Sequence, residues 1–376
     1  MKYPNPGAIH ELGVKEKAKL ERARATIARI LGGQDDEIIF TSGASESNNL
    51  AILGIVQNFK RNFILPHIVT TNIEHASVLE VFKYLAKTKK AQVTFLKVEK
   101  NGILNPKEVK KVLKKNTILV SVMYANNEIG TIQPVREIAK EIRHYNKINS
   151  KKIIFHTDAT QAVNYLPINI KRLGVDLLSF NAAKIYGPKG TGALFKKREI
   201  SLVPIMHGGG QEFGLRPGTE NVLGAVSLAR ALKITEKIKE KESKRLATFR
   251  DYFIGELSNS KILTNYRIVI NGDLKSRLPN NINISIPGIP SDLLVLELSA
   301  RRIYVSEKSA CQSGSIEASH VIKAIRPKQG STLSETLSEI DGSLRFSLGR
   351  QTTKKDIDYT LKALSEILTK LKKWYN

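Results

Sequence analysis

Residues 152–190 read KIIFHTDATQAVNYLPINIKRLGVDLLSFNAAKIYGPKG. Two short runs in it, KIIFHTDA (152–159) and VDLLSFNA (175–182), are near-continuously apolar and end in polar residues. Strands of that kind are buried on both faces, as in a parallel sheet covered by helices. The pattern extends outward from this stretch. EIIFT (37–41), HIVTTNI (67–73), QVTFLKV (92–98), TILVSVMYA (117–125) and TGALFKK (191–197) read as further strands. Helical segments fall between most of them. Leu20, Ala23, Ile27, Ile30 and Leu31 recur at helical spacing over residues 15–31, which stop at Gly32-Gly33. VREIAKEIRHYNK (135–147) is another such segment. An α/β fold is expected: a large domain whose mainly parallel sheet is covered by helices on both faces.

After Pro217-Gly218 a helical stretch starts near residue 220 and continues to near 258, and its second half (KITEKIKEKESKR) is highly charged. A smaller α+β region follows, with strands YRIVING, NNINISI, RIYVSE and SLRFSLG and a closing helix, DIDYTLKALSEILTKLKKW. The expected division is a large domain over 1–240 and a small C-terminal domain over 241–376. A length of 376 residues suits about two domains.

Composition narrows the function classes. The chain is 41% hydrophobic and 25% charged, as is ordinary for a soluble globular protein. No apolar run approaches the roughly 20 residues of a membrane span, and MKYPNPGAIHEL has no signal-peptide core. A cytoplasmic protein without a membrane partner is expected. The net charge of +25 is read either as a basic surface for nucleic acid or an acidic protein, or as a solvated lysine-rich surface. The lysines are scattered along helices with no aromatic–basic interleaving, so direct nucleic-acid binding is not expected. A single cysteine excludes an intramolecular disulfide and a Cys-rich metal site, and no metal is expected. Cys311 lies in EKSACQSGS, small and polar where a structural cysteine would more usually sit in an apolar run.

In open α/β sheets ligands bind beyond the carboxyl ends of the strands. Strand 37–41 runs into Thr41-Ser42-Gly43-Ala44-Ser45, where a helix opens. Its free N–H groups and the Ser45 hydroxyl read as a phosphate cup, or as an ordinary N-cap turn. Asp158 closes an apolar strand, where a carboxylate is costly unless a cation meets it. A protonated pyridine nitrogen is one such cation; helix capping is the other reading. Lys184 follows Asn181-Ala182-Ala183 and precedes a Gly-Pro turn. It is either a solvated lysine or an amine at a strand end whose desolvation would make it a Schiff-base nucleophile. Together, a phosphate cup, a strand-end Asp and a strand-end Lys are what pyridoxal 5'-phosphate needs.

FTSGASESNNLAI, IEHASV, YANNEIG, HTDATQAV, AAKIYGPKGTGALF, GGGQEFGLRPGTEN, SACQSGSIEASHVIKAI and SLRFSLGRQTTKKDIDYT occur in this order. In this the chain resembles the cysteine desulfurases of the class V aminotransferases, pyridoxal-phosphate enzymes of fold type I. The resemblance covers essentially the whole chain. It implies that Lys184 forms the Schiff base, Asp158 partners the pyridine nitrogen and Gln161 reaches the phenolic oxygen of the cofactor. It implies that His75 stacks on the ring and assists proton transfer, and that Asn127 lies near substrate and ring. Ala44 and Ser45 match the phosphate cup, and Asn181 is placed with the cofactor-holding residues. Thr219 resembles a threonine that reaches the phosphate of the neighbouring subunit, which implies a homodimer. Arg345 looks like the guanidinium on the substrate carboxylate, with Asn5 also on the substrate side. Cys311 resembles the nucleophile, in a segment like the long Cys loop of the group that feeds iron–sulfur scaffolds.

The function implied is conversion of L-cysteine to L-alanine with a persulfide on Cys311. The sulfur would pass to an acceptor protein, an iron–sulfur scaffold or a tRNA-thiolation relay. Lys308 is the cation nearest Cys311 in sequence. The chain departs from the family at Ala183, where His is usual, and at Asn181, where Ser is usual. It also starts at the equivalent of the family's GNPSS-x-H segment and stops at Trp374-Tyr375-Asn376, ahead of a longer tail. Other readings are a selenocysteine lyase or aminotransferase on the same cofactor, and a catalytically impaired homologue.

Overall fold

The computed structural model describes residues 4–59, 64–260, 262–307, 319–326 and 343–375. Cys311 and Lys308 lie outside the described residues. The chain divides into two compact units, one of Met1–Lys97, Leu104–Ala125 and Gln133–Lys239, the other of Val98–Ile103, Asn126–Ile132 and Glu240–Asn376. Two short loops of the first stretch thus pack with the C-terminal unit, and one of them carries Asn127.

The first unit is built on seven strands: β1 (Ile38–Thr41), β2 (His67–Thr71), β3 (Gln92–Leu96), β4 (Thr117–Ser121), β5 (Ile154–Asp158), β6 (Leu177–Asn181) and β7 (Gly192–Lys196). Their order in the sheet is β1-β7-β6-β5-β4-β2-β3. Only β7 runs antiparallel to its neighbours, between β1 and β6. All other strands therefore present their carboxyl ends on one edge. The antiparallel strand follows from the chain between Asn181 and Gly192, which pair with each other. That connection is too short for the dozen or more residues of a helical crossover, so the chain reverses.

The helices are α1 (Glu11–Leu31), α2 (Ala44–Asn58), α3 (Ala76–Lys87), α4 (Pro106–Val112), α5 (Val135–Asn149), α6 (Ile170–Leu173), α7 (Val222–Asn259), α8 (Ile262–Asn265), α9 (Ser291–Ala300), α10 (His320–Ile325) and α11 (Lys354–Tyr375). No helix among the described residues is long and apolar enough to cross a membrane. The central strands are largely buried, with Leu119, Val120, Phe155, Leu177, Leu178 and Phe180 almost wholly inaccessible. Two buried histidines are matched to hydroxyls of the neighbouring strands. His156 on β5 meets Ser121 Oγ of β4 at 2.8 Å and Ser179 Oγ of β6 at 3.0 Å. His67 on β2 does the same with Thr117 and Thr94. Burial drives both imidazoles down to a pKa of about 4, so each is a neutral strand-to-strand stitch.

The second unit carries a three-stranded antiparallel sheet ordered β10 (Leu344–Ser347), β9 (Asn281–Ser285), β8 (Val269–Ile270). RIYVSE (302–307) does not form the expected strand. Among the described residues only Ser306 pairs, in an isolated bridge to Arg345. Gly130 has φ 72°, and a β-carbon there would come within 2.6 Å of the Asn281 side chain. A glycine is required where loop 126–132 packs on β9.

Candidate active site

The carboxyl edge of the large sheet gathers most of the expected residues of the first unit. β1 ends at Thr41 and α2 opens at Ala44, with Gly43 as an N-cap that makes no side-chain capping bond. The first-turn amides of a helix have no intrahelical acceptor, and no side chain of the cap consumes them here. A β-carbon on Gly43 would meet nothing within 4 Å, so space lies open there. A β-carbon on Gly192 would meet the Gly43 backbone at 2.7 Å, and this glycine lets the α2 entrance close onto the sheet edge. Ser45 is exposed in the first turn. Glu46 in that turn accepts from Ser42 N at 2.7 Å and pairs with Arg216 at 3.0 Å, which offsets its charge.

Asp158, the last residue of β5, is 5% exposed. Oδ1 accepts from Thr160 N at 2.9 Å and Oδ2 from Asn48 Nδ2 at 2.8 Å. Gln161 follows, half-buried, in the turn that leaves the strand. His75 caps α3: its Nδ1 accepts from Ser77 N at 3.2 Å and lies 2.8 Å from Ser77 Oγ. Because a main-chain N–H can only donate, Nδ1 is the acceptor and the hydrogen of the neutral ring sits on Nε2.

Lys184 stands in the 3₁₀ turn Ala183–Ile185 directly after β6. Its N–H is held by Asn181 Oδ1 at 3.1 Å. Asn181, which takes the place where serine is usual in the resemblance, thus spends its oxygen on the turn that carries the lysine. The Lys184 side chain is exposed and forms no ion pair among the described residues. Thr219 is exposed, and the exposed Asn5 uses Oδ1 locally, accepting from Gly7 N at 2.8 Å.

In the C-terminal unit, Arg345 on β10 donates from Nη1 to the Asn127 carbonyl oxygen at 2.8 Å. Its backbone makes the two hydrogen bonds to Ser306. Glu128, next to Asn127, is buried and accepts from Ser319, the N-cap of α10. Cys311 falls outside the described residues.

Three polar residues of the first unit were not singled out by the sequence reading. Asn48 is fully buried and binds both Asp158 and Ser77. Ser77 touches His75. Glu74, also fully buried, accepts from Thr71 Oγ1 at 2.8 Å and Met123 N at 3.0 Å, and burial raises its pKa to about 8. A readable signal existed for Asn48. It lies on the stripe of α2 that carries Ala44, Ala51, Ile52 and Ile55, where a polar residue faces the interior.

The class-V aminotransferase family model matches residues 3–360. The chain is 43% identical to the cysteine desulfurase IscS of Dictyoglomus turgidum over 371 residues, 99% of this chain and 89% of that protein. A solved NifS-like protein, 35% identical, superposes with a TM-score of 0.86 over 98% of this chain and 92% of its own. The structure of SspA in complex with cysteine, 32% identical, superposes with a TM-score of 0.74 over 92% of this chain and 91% of its own. Members of this family depend on pyridoxal phosphate in general. With a central sheet of NifS-like topology and a match that runs along nearly its whole length, the chain belongs to the class-V aminotransferase family, among its cysteine desulfurases.

Proposed function

We propose that the chain converts L-cysteine to L-alanine, holding pyridoxal 5'-phosphate through Lys184 and receiving the sulfur on Cys311. The observation that carries this reading is Asp158. It is a buried strand-end carboxylate with one donor on each oxygen, on the strand next to the one that delivers Lys184. Two donors and no cation bonded to it among the described residues leave an acceptor suited to a protonated ring nitrogen. The remaining residues fit the same group. Uncapped amides at Ala44 and Ser45 suit a phosphate, and the exposed Lys184 amine is accessible for Schiff-base formation. Gln161, His75, Asn127, Asn181 and, from a second copy of the chain, Thr219 would complete the holding set.

Pyridoxal phosphate bound there would supply an electron sink for charge developing beside the substrate nitrogen. The Arg345 guanidinium holds the substrate carboxylate, with Asn5 also on the substrate side. Lys184 Nζ takes the proton from the substrate α-carbon. His75 keeps its hydrogen on Nε2, where it can be delivered. The Cys311 thiolate attacks the substrate sulfur: the C–S bond breaks, an S–S bond forms on Cys311, and L-alanine leaves after gaining a proton at Cβ and regaining one at Cα from Lys184. The persulfide then passes to an acceptor protein, for iron–sulfur cluster assembly or tRNA thiolation. The working form is a cytoplasmic homodimer.

The test is an absorbance spectrum of the purified protein with pyridoxal phosphate, followed by L-cysteine. A visible band, and alanine release that disappears in Cys311→Ser and Lys184→Ala, is expected. A protein that stays colourless, or a Cys311→Ser variant that keeps releasing alanine, overturns the reading.

A further inference from the structure

We propose that Asn48 is a positioning residue that ties the Asp158 carboxylate to the His75 imidazole through Ser77, so that the two groups on the cofactor are oriented as one unit. The proposal rests on the reading above for the roles of Asp158 and His75. Its geometry stands apart from it.

Asn48 Nδ2 lies 2.8 Å from Asp158 Oδ2 and 2.9 Å from Ser77 Oγ. A side-chain amide nitrogen has two hydrogens and no acceptor, so one goes to each. Ser77 Oγ accepts with a lone pair and keeps its own hydrogen. Its neighbour at 2.8 Å, His75 Nδ1, already accepts from Ser77 N, and the hydroxyl hydrogen goes to the same nitrogen. The donors therefore diverge from Asn48, one hydrogen going to Asp158 and the other to Ser77, whose hydroxyl donates on to His75. α2, α3 and β5 each contribute one link.

A second observation shows that this orientation is imposed. Asn48 is completely buried, and its amide oxygen has no hydrogen-bond partner among the described residues. Turning the amide over would set Oδ1 against the Asp158 carboxylate. A buried acceptor left empty is a standing cost that an apolar residue at the same place on α2 would avoid. The residue kept there is the one whose two hydrogens join Asp158 to Ser77. Steric packing alone needs neither hydrogen.

The experiment uses the full chain labelled with ¹⁵N-histidine, first without cofactor and then loaded with pyridoxal phosphate. His75 is assigned by its loss in His75→Gln. In the wild type, His75 is expected to show a hydrogen-bonded acceptor Nδ1 and a protonated Nε2. Asn48→Ala, which touches no atom of His75, is expected to move the Nδ1 resonance. Ser77→Ala should move it further, and Ser77→Thr should restore it. In the loaded enzyme, Asn48→Ala and Ser77→Ala should each lower kcat for alanine release about tenfold with KM within about twofold. If Asn48→Ala does not fold, the half-buried Ser77 pair of variants decides. An Nδ1 resonance unchanged in Ser77→Ala, or unchanged in a folded Asn48→Ala, overturns the proposal. Loss of the wild-type alanine signal with the resonance shifts intact would instead remove the desulfurase reading and leave the network standing.

Discussion

Arg345 Nη1 donates to the main-chain oxygen of Asn127 at 2.8 Å, so the guanidinium is oriented by backbone before any substrate is present. The Arg345 backbone is itself fixed by two hydrogen bonds to Ser306. A planar fork held this way can offer paired donors to a carboxylate, which a lysine ammonium cannot reproduce. Arg345→Lys keeps the charge and loses the fork. Its KM for L-cysteine is expected to rise roughly 10- to 100-fold, the worth of a charge-assisted hydrogen bond, with kcat changed far less. Steady-state alanine release over a range of cysteine concentrations checks it. An equal fall in kcat would place Arg345 elsewhere in the reaction.

Asp158→Asn tests the carboxylate with almost no change of shape. Asn48 Nδ2 and Thr160 N both donate to Asp158, so an amide there sets at least one donor against another. It also removes the negative charge that, in the proposed role, would keep the ring nitrogen of pyridoxal phosphate protonated. The variant is expected to retain pyridoxal phosphate through Lys184, seen as a visible band, while kcat falls at least about 100-fold. A kcat within threefold of wild type would show that the carboxylate charge is not used.

The strand-end residues Asp158 and Lys184 were legible in the sequence because burial and polarity change abruptly where an apolar run stops. What surrounds them was not. Asn48 reaches Asp158 and Ser77 from α2, which chain order does not place beside β5 or α3, and a polar residue on a helix reads only as a defect of its stripe. The direction of β7 was open to a closer reading, since ten residues between Asn181 and Gly192 cannot hold a crossover helix. RIYVSE had strand composition, but among the described residues only Ser306 finds a strand partner, and composition does not supply one. Lys184 read either as a solvated lysine or as a desolvated strand-end amine, and in its 3₁₀ turn the side chain is exposed.

Arg24 and Glu212 form a buried two-point pair, with Nη1 to Oε2 at 2.8 Å and Nη2 to Oε1 at 2.7 Å. Glu212 Oε2 also accepts from Phe40 N, and Glu212 and Phe213 both hold left-handed backbone angles, φ 45° and 59°. The pair thus pins α1 and β1 to a strained turn of the GGGQEFG segment. Removing one partner leaves a charge in the interior. Arg24→Met is expected to cost about 3–5 kcal/mol, and the Arg24→Met/Glu212→Met double variant clearly less than the two single costs together. Urea unfolding of the four proteins measures the coupling. Additive costs would mean that the two side chains do not interact in solution.

Glu74 gives the fold a pH dependence of unusual sign. Burial raises its pKa from 4.5 to about 8, while burial lowers those of His67 and His156 from 6.5 to about 4. Between pH 4.5 and 6.5 the unfolded chain has lost the Glu74 proton that the folded chain keeps, which lowers stability as pH rises. Over the same interval the unfolded chain holds protons on His67 and His156 that the folded chain refuses, which raises it. The two histidines oppose and outweigh Glu74 there. Above pH 6.5 the histidines contribute no further change, and the Glu74 contribution falls by about 1.4 kcal/mol per pH unit until about pH 8. Glu74→Gln keeps an oxygen for Thr71 Oγ1 and Met123 N without a group to ionise. It is expected to be the more stable protein at pH 8, by about 2 kcal/mol more than any difference at pH 6.5, and to lose the decline between these values. Urea midpoints at pH 6.5, 7.2 and 8 decide it: parallel curves for the two proteins would mean that Glu74 is already ionised in the folded core at pH 6.5.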